Sequence, residues 1–217
     1  MGIRATLWDF GGVILESPFD AFARYEEANG LPPGLIRTLN ATNPDTNAWA
    51  RMERSEVSME EFARLFEGEA AAAGHRVDAR AVLALLRGRI RPEMVEAVRR
   101  CAARIPTGMV SNTFVGFGDD APSERRPELE QIMGLFHVVI ESSKVGLRKP
   151  DPRIYELACR RLGVDPEEVV FLDDLGINLK PARAMGMLTI KVLDPAAALC
   201  ELEAAVGFQV RAPSVRG

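Results

Sequence analysis

The sequence predicts an α/β fold, a doubly wound parallel sheet of Rossmann-like type with a small helical module inserted into it. Three observations lead there. Five short apolar runs, Ala5–Trp8, Thr107–Asn112, His137–Ile140, Val169–Leu172 and Leu188–Val192, read as strands buried on both faces. From Arg91 onward these runs alternate with segments of helical spacing. Between Glu16 and Gly88 the strand signal nearly vanishes, although apolar residues continue.

Taken in order, Ala5-Thr6-Leu7-Trp8-Asp9 is short, mostly apolar and followed by glycines, as expected of a central strand. Phe19 to Ala28 has helical spacing, and Gly30 with Pro32-Pro33 ends it. Ser58-Met59-Glu60-Glu61 resembles a capping box opening a helix through Phe62, Leu65 and Phe66. Val77 to Leu86 is a further helical segment, and residues 16–88 therefore read as one helical module. Glu93 to Arg104 is helical and precedes the second strand. Asp151 caps a helix with Pro152 in its first turn and Gly163 at its end. The fourth strand runs into Asp173-Asp174, Leu179 to Met185 is helical, and Ala196 to Ala205 forms the last helix. Residues 1–15 and 89–217 thus make the α/β core, with a loose tail from Arg211.

Composition narrows the function classes. The formal net charge is −4 and no long basic run occurs, which argues against a nucleic-acid surface. Cys101, Cys159 and Cys200 are far apart and odd in number, so neither a disulfide framework nor a zinc site is expected, and a reducing cytoplasm fits. No apolar stretch approaches a membrane span, and no membrane partner is expected. Met1–Thr6 fits the myristoylation pattern M-G-x-x-x-[ST], but Ile3 to Trp8 reads better as a strand. Gly116-Phe117-Gly118-Asp119-Asp120-Ala121 matches G-x-G-x-x-A on paper. Its two aspartates would repel a pyrophosphate and Pro122 follows at once, so it is not a dinucleotide site. His75 and His137 carry no catalytic expectation. A monomer or a homodimer is equally compatible with this composition.

Ligands of open α/β sheets bind beyond the carboxyl ends of the strands. The first strand ends at Asp9, the second at Ser111-Asn112, and the fourth at Asp173-Asp174, with Asn178 shortly after. Lys149 precedes the helix that follows the third strand. Three carboxylates beside a phosphate dianion would repel it, each like-charge pair near 4 Å costing about 4 kcal/mol at an effective dielectric of ~20. A divalent cation with oxygen ligands removes most of that cost, and Mg2+ suits carboxylates, retained waters and a phosphate oxygen. Lys149 can neutralise remaining charge, Ser111 and Asn112 can hold phosphate oxygens, and Asp9 can attack phosphorus.

These residues carry a family resemblance. Asp9-Phe10-Gly11-Gly12-Val13-Ile14 resembles the first motif of the haloacid dehalogenase-like (HAD) superfamily, Ser111-Asn112 its second, Lys149-Pro150 its third, and Phe171-Leu172-Asp173-Asp174 with Asn178 its acidic fourth. Glu141 to Pro150 and Phe171 to Gly186 are similar to the phosphatase-like N-terminal domain of soluble epoxide hydrolases. The α/β-hydrolase half of those proteins has no counterpart here, so epoxide hydrolysis is not carried over. The resemblance implies a Mg2+-dependent hydrolase whose partner is a small-molecule phosphate ester, with residues 16–88 as a helical cap. Asp9 would be nucleophile and metal ligand, Asp174 the main metal carboxylate and Asp173 a second ligand, direct or through water. Gly11 would offer a backbone carbonyl to the metal. Gly12, Ser111, Asn112 and Lys149 would bind substrate, Ser111 and Lys149 also taking part in catalysis, and Asn178 would orient the network.

One departure matters. Phosphatases of this superfamily usually carry a second aspartate two residues after the nucleophile, where this chain has Gly11. Glycine cannot move a proton, and general acid–base assistance is typically worth ~10²–10⁴ in rate. Three outcomes are open: leaving groups that need no proton, an acid supplied elsewhere (Glu16 and Asp20 are candidates), or binding without turnover. Dehalogenases of the superfamily also lack that aspartate, but adjacent carboxylates such as Asp173-Asp174 would serve a metal-independent dehalogenase poorly.

Overall fold

The computed structural model describes residues 2–86, 88–112 and 126–212. Gly116–Ala121, Arg125 and the last five residues of the tail lie outside them, as do the side chains of Asp20 and Arg126.

Five strands form one parallel sheet: β1 (Ala5–Trp8), β2 (Thr107–Ser111), β3 (Val138–Glu141), β4 (Val169–Asp173) and β5 (Leu188–Lys191), in the order β3-β2-β1-β4-β5. Every pairing is parallel, with Leu7 opposite Gly108 on one side and Phe171 on the other. The period of two divides each strand between the faces. Trp8, Met109, Val170 and Leu172 pack with Met94, Val98 and Leu199 on one face, while Ala5, Leu7, Val110 and Phe171 pack with Ile154, Tyr155 and Leu179 on the other. In the elements that carry them, α6 (Pro92–Ala102) and α11 (Pro195–Val206) cover the first face, and α9 (Pro152–Leu162) and α10 (Gly176–Ala184) the second. Winding out from β1 and returning to its far side puts the switch point between β1 and β4, where such sheets open a crevice at their carboxyl edge.

Between β1 and α6 lie α1 (Phe19–Ala28), α2 (Leu35–Ala41), α3 (Ala48–Glu53), α4 (Met59–Ala72) and α5 (Ala79–Leu85). They bury a hydrophobic cluster of their own, with Trp49, Phe62 and Phe66 in mutual ring contact. Local chemistry fits four of the five starts. Ser58 accepts from the Glu61 amide at 3.2 Å, as the capping pattern predicts, and Asn47 and Asp78 cap α3 and α5. The α2 cap residue, Gly34, offers no side chain, so the buried Glu26 accepts from the Gly34 and Ile36 amides instead, at 2.7 and 2.8 Å.

The block leaves and rejoins the sheet through two adjacent connectors. Leu15 and Ile90 form an antiparallel bridge, Glu16 N donates to Arg89 O at 2.8 Å, and Arg91 N donates to Ile14 O at 2.9 Å. Gly88 passes so close that a Cβ there would lie 2.7 Å from the Glu16 carbonyl oxygen. A second junction joins α3 to the segment after β3, which begins with the single turn α8 (Ser142–Val145): Ser142 Oγ donates to Glu53 O at 2.6 Å. Among the described residues no helix is long and apolar enough to cross a membrane.

Candidate active site

β1 and β4 lie side by side, so the residues that leave their carboxyl ends meet across the switch point. Asp9 follows β1, Asp173 closes β4 and Asp174 follows it, and ligand atoms from the three carboxylates lie within 4.8 Å of one another. β2, on the other side of β1, delivers Ser111, which is buried, and then Asn112. Lys149 enters from the segment after β3, joined to Pro150 by a cis peptide bond, and it is only 1 % exposed.

A buried ammonium needs partners, since unpaired it would cost several kcal/mol. Lys149 Nζ has two: Asp9 Oδ1 at 2.8 Å and Asp173 Oδ2 at 2.7 Å. Burial opposes its charge, but the two carboxylates outweigh that and raise its pKa. Asp173 is itself fully engaged. Its Oδ1 accepts from the Leu175 amide at 2.8 Å and Asn178 Nδ2 at 3.0 Å, and its Oδ2 from Lys149 and from Asn178 Nδ2 at 3.1 Å. Asp173 therefore fixes Lys149, and it also belongs to the acidic cluster whose carboxylate oxygens could hold an ion. Asn178 is the third residue of α10, whose N-cap is Leu175, and its side chain serves Asp173.

Asp9 Oδ1 accepts from Lys149 and, at 2.6 Å, from the Phe10 amide. Among the described residues Oδ2 has no hydrogen-bond donor. Asp174 Oδ2 accepts from Ser17 Oγ at 3.2 Å. Burial, together with Asp173 and Asp174, pushes the Asp9 carboxyl well above the usual carboxylate range against the pull of Lys149. Burial, then Asp173, raises Asp174 to about 6. Three carboxylates share one lysine, and this surplus of negative charge is what a divalent cation would relieve. Asp9 and Asp174, each with lone pairs to spare, fit such an ion.

The two glycines after Asp9 differ. Gly12 has φ +77°, and a Cβ there would lie 2.2 Å from Asp174 Oδ2. Its carbonyl accepts from Arg91 Nη1 at 2.8 Å. A Cβ at Gly11 would meet nothing within 4 Å.

The sequence-predicted residues Asp9, Gly11, Gly12, Ser111, Asn112, Lys149, Asp173, Asp174 and Asn178 thus share one rim. Asn112 also holds the lysine: its Nδ2 donates to Lys149 O at 2.9 Å and its Oδ1 accepts from Lys149 N at 2.8 Å, so its amide secures the lysine's backbone. Glu16, a candidate acid, is exposed in the connector. Arg54 pairs with Glu56 and Arg51 with Glu61, and Trp49 belongs to the aromatic cluster of the block. Sequence reading missed Ser17, which is isolated from every motif, and Tyr155, whose Oη donates to Asn178 O at 2.7 Å. Only the helical spacing that turns Tyr155 inward could have signalled it.

Comparison with known proteins agrees with this geometry. The profile of the haloacid dehalogenase-like hydrolases matches residues 3–186. The chain is 35 % identical over 216 residues to mouse acyl-CoA dehydrogenase family member 10, covering 94 % of this chain and 19 % of that protein. It is 33 % identical over 223 residues to pig bifunctional epoxide hydrolase 2, covering 97 % and 40 %. The chain therefore spans less than half the length of these curated relatives. Among solved structures, a HAD family enzyme of Bacteroides thetaiotaomicron in complex with magnesium and inorganic phosphate superposes with a TM-score of 0.59 at 21 % identity, covering 88 % of this chain and 94 % of that one. With the parallel sheet, the four motifs and the matched profile in agreement, the chain belongs to the haloacid dehalogenase-like hydrolase family.

Proposed function

We propose that this protein is a magnesium-dependent phosphatase of small phosphate esters that works through an aspartyl-phosphate on Asp9. The observation that carries the reading is the arrangement of Asp9. One oxygen is fixed by Lys149 and the Phe10 amide, the other has no donor among the described residues, and the carboxylate belongs to the acidic cluster. An oxygen so oriented can attack phosphorus as the ester P–O bond breaks. The leaving oxygen takes its proton from solvent or needs none. Water then attacks phosphorus, releases inorganic phosphate and restores Asp9.

Lys149 holds the attacking carboxylate in place and lies beside the phosphoryl group that binds it. Asp173, Asn178 and Asn112 keep the lysine from moving. Ser111 and the turn at Gly12 contribute to the phosphoryl site. A magnesium ion held by Asp9, Asp174 and the Gly11 carbonyl would neutralise the surplus charge and polarise a phosphoryl oxygen. That a fold neighbour binds magnesium and phosphate together supports this pairing of ligands. Residues 16–88 act as a cap on a core of residues 1–15 and 89–217. The cap touches the rim at two distant places, Ser17 on Asp174 and Glu53 on Ser142, which supports its lying across the site.

Gly11 favours one competing reading, a dehalogenase, because halide departure needs no acid. The acidic cluster weighs against it. The deciding experiment is release of p-nitrophenol from p-nitrophenyl phosphate, with magnesium and with chelator, by the parent and Asp9→Asn. The expected result is turnover that requires both the metal and Asp9. Halide release from 2-haloacids without metal would replace this reading with the dehalogenase one. Magnesium and phosphate binding with no turnover on any activated ester would leave a binding protein.

A further inference from the structure

The charged pair Glu53–Arg148 lies outside the machinery described above. Glu53 ends α3 and is buried, 7 % exposed. Arg148 Nε stands 2.6 Å from Glu53 Oε2, a close charge contact without hydrogen-bond alignment. The same guanidinium donates through Nη1 to Pro44 O at 2.7 Å, so it grips the block at both ends of the stretch that carries α3. The backbone adds a third tie, Ser142 Oγ to Glu53 O. All three reach the short segment between β3 and α9, and Arg148 is peptide-bonded to Lys149.

Other ties of that segment come from the sheet. Asn112 grips the Lys149 backbone from the β2 side, and Asp9 and Asp173 grip its ammonium from the sheet. The side facing the helical block is held by Glu53. An ion pair in a buried setting confers little net stability compared with apolar side chains, and its best-attested use is to fix one arrangement among several. Here the arrangement fixed is that of the block against the residue next to the lysine. Burial, countered by Arg148 and Lys149, raises the Glu53 carboxyl to about 7, and the groups that face it are Arg148 and Lys149 from the core and Trp49 from its own helix.

We infer that Glu53 and Arg148 are positioning residues for Lys149, transmitting the docking of the helical block to the lysine that holds the nucleophile. The kinetic part of this inference rests on the phosphatase reading; the structural part does not. The test therefore has two arms. Hydrogen–deuterium exchange is followed in the parent, E53Q, R148M, R148K and the paired E53Q/R148M, which leaves no lone buried charge and so keeps the fold if a single change loses it. The specific probe is the Lys149 amide, which donates to Asn112 Oδ1. Its exchange is expected to accelerate at least tenfold in E53Q, R148M and the pair, to stay within threefold of the parent in R148K, and to leave α11 unchanged. With p-nitrophenyl phosphate and magnesium, the same three variants should lose about tenfold in kcat while KM stays within about twofold, because the lysine acts on the attacking carboxylate. R148K should recover most of that loss.

Unchanged Lys149 exchange in folded E53Q and in the pair overturns the proposal, whatever the kinetics. Accelerated exchange with unaltered kcat overturns the transmission to catalysis and leaves a merely structural joint. A parent without turnover defeats the phosphatase reading alone, and the exchange arm still decides the joint.

Discussion

At the scale of single residues, two neighbouring glycines make opposite predictions. Gly12 is confined by its positive φ and by the Asp174 carboxylate, which a Cβ would strike at 2.2 Å. Gly12→Ala should displace Asp174 and cost at least the 1–2 kcal/mol typical of a left-handed backbone at a non-glycine residue, roughly. The measurement is urea unfolding with and without magnesium, and the stabilisation by the ion should disappear in the variant. Gly11 has open space where its side chain would be. Gly11→Asp should therefore fold normally and raise turnover of alkyl phosphates by up to ~10²–10⁴, with a much smaller gain on aryl phosphates. Steady-state kinetics on the two ester classes would show it, and no gain on alkyl esters would mean that more than the acid is missing. The residues of the rim were legible in the sequence because strand ends in a doubly wound sheet converge by topology alone. Their division of labour was not. That Asp173 accepts from Lys149, Asn178 and Leu175, or that Asn112 grips a backbone, follows from hydrogen-bond geometry that no spacing reveals.

At the scale of elements, the strands and long helices follow their sequence signals closely. The predicted cap at Asp151, proline at 152 and glycine at 163 bound α9 as expected, and Phe19–Ala28 is α1. What escaped were short pieces. α2 and α3 span seven and six residues, too few for a helical period to stand out. α3 carries Glu53, so the junction between block and sheet was hidden with it. α10 begins at Gly176, earlier than its apolar spacing suggests, because its first turn is held by Asp173 and not by a side-chain cap. The α9–α10 contact supplies a clean test. Tyr155 Oη donates to Asn178 O inside the core. Tyr155→Phe leaves that carbonyl short of one partner and should cost about 1–3 kcal/mol, read by denaturant unfolding. Because Asn178 fixes Asp173, the change should also lower kcat on aryl phosphates, whereas a purely local loss would leave kcat alone.

At the scale of the whole molecule, the excess of buried carboxylates sets a pH dependence. Asp174 and Glu53 have folded pKa values raised to about 6 and about 7, from ordinary values of 3.8 and 4.5. Each binds its proton more tightly when folded, so each makes the metal-free protein less stable as pH rises from its ordinary value to its folded one. The acids with lowered values, Glu203 at about 2 among them, complete their contribution below that window. The melting temperature of the metal-free protein should thus fall between about pH 5 and about pH 7. Magnesium should raise it at the upper end, where an ion at a hundred times its dissociation constant adds about 2.7 kcal/mol of stability, and much less at the lower end, where Asp174 is protonated. Calorimetry across that range, with and without the ion, reads both effects. A final consequence comes from the paired connectors at Leu15 and Ile90. The chain leaves the sheet and comes back through the same gap, so the topology of the five strands is indifferent to what lies between. Evolution or an engineer can exchange one insert for another, or shrink it to a turn, without rethreading the sheet.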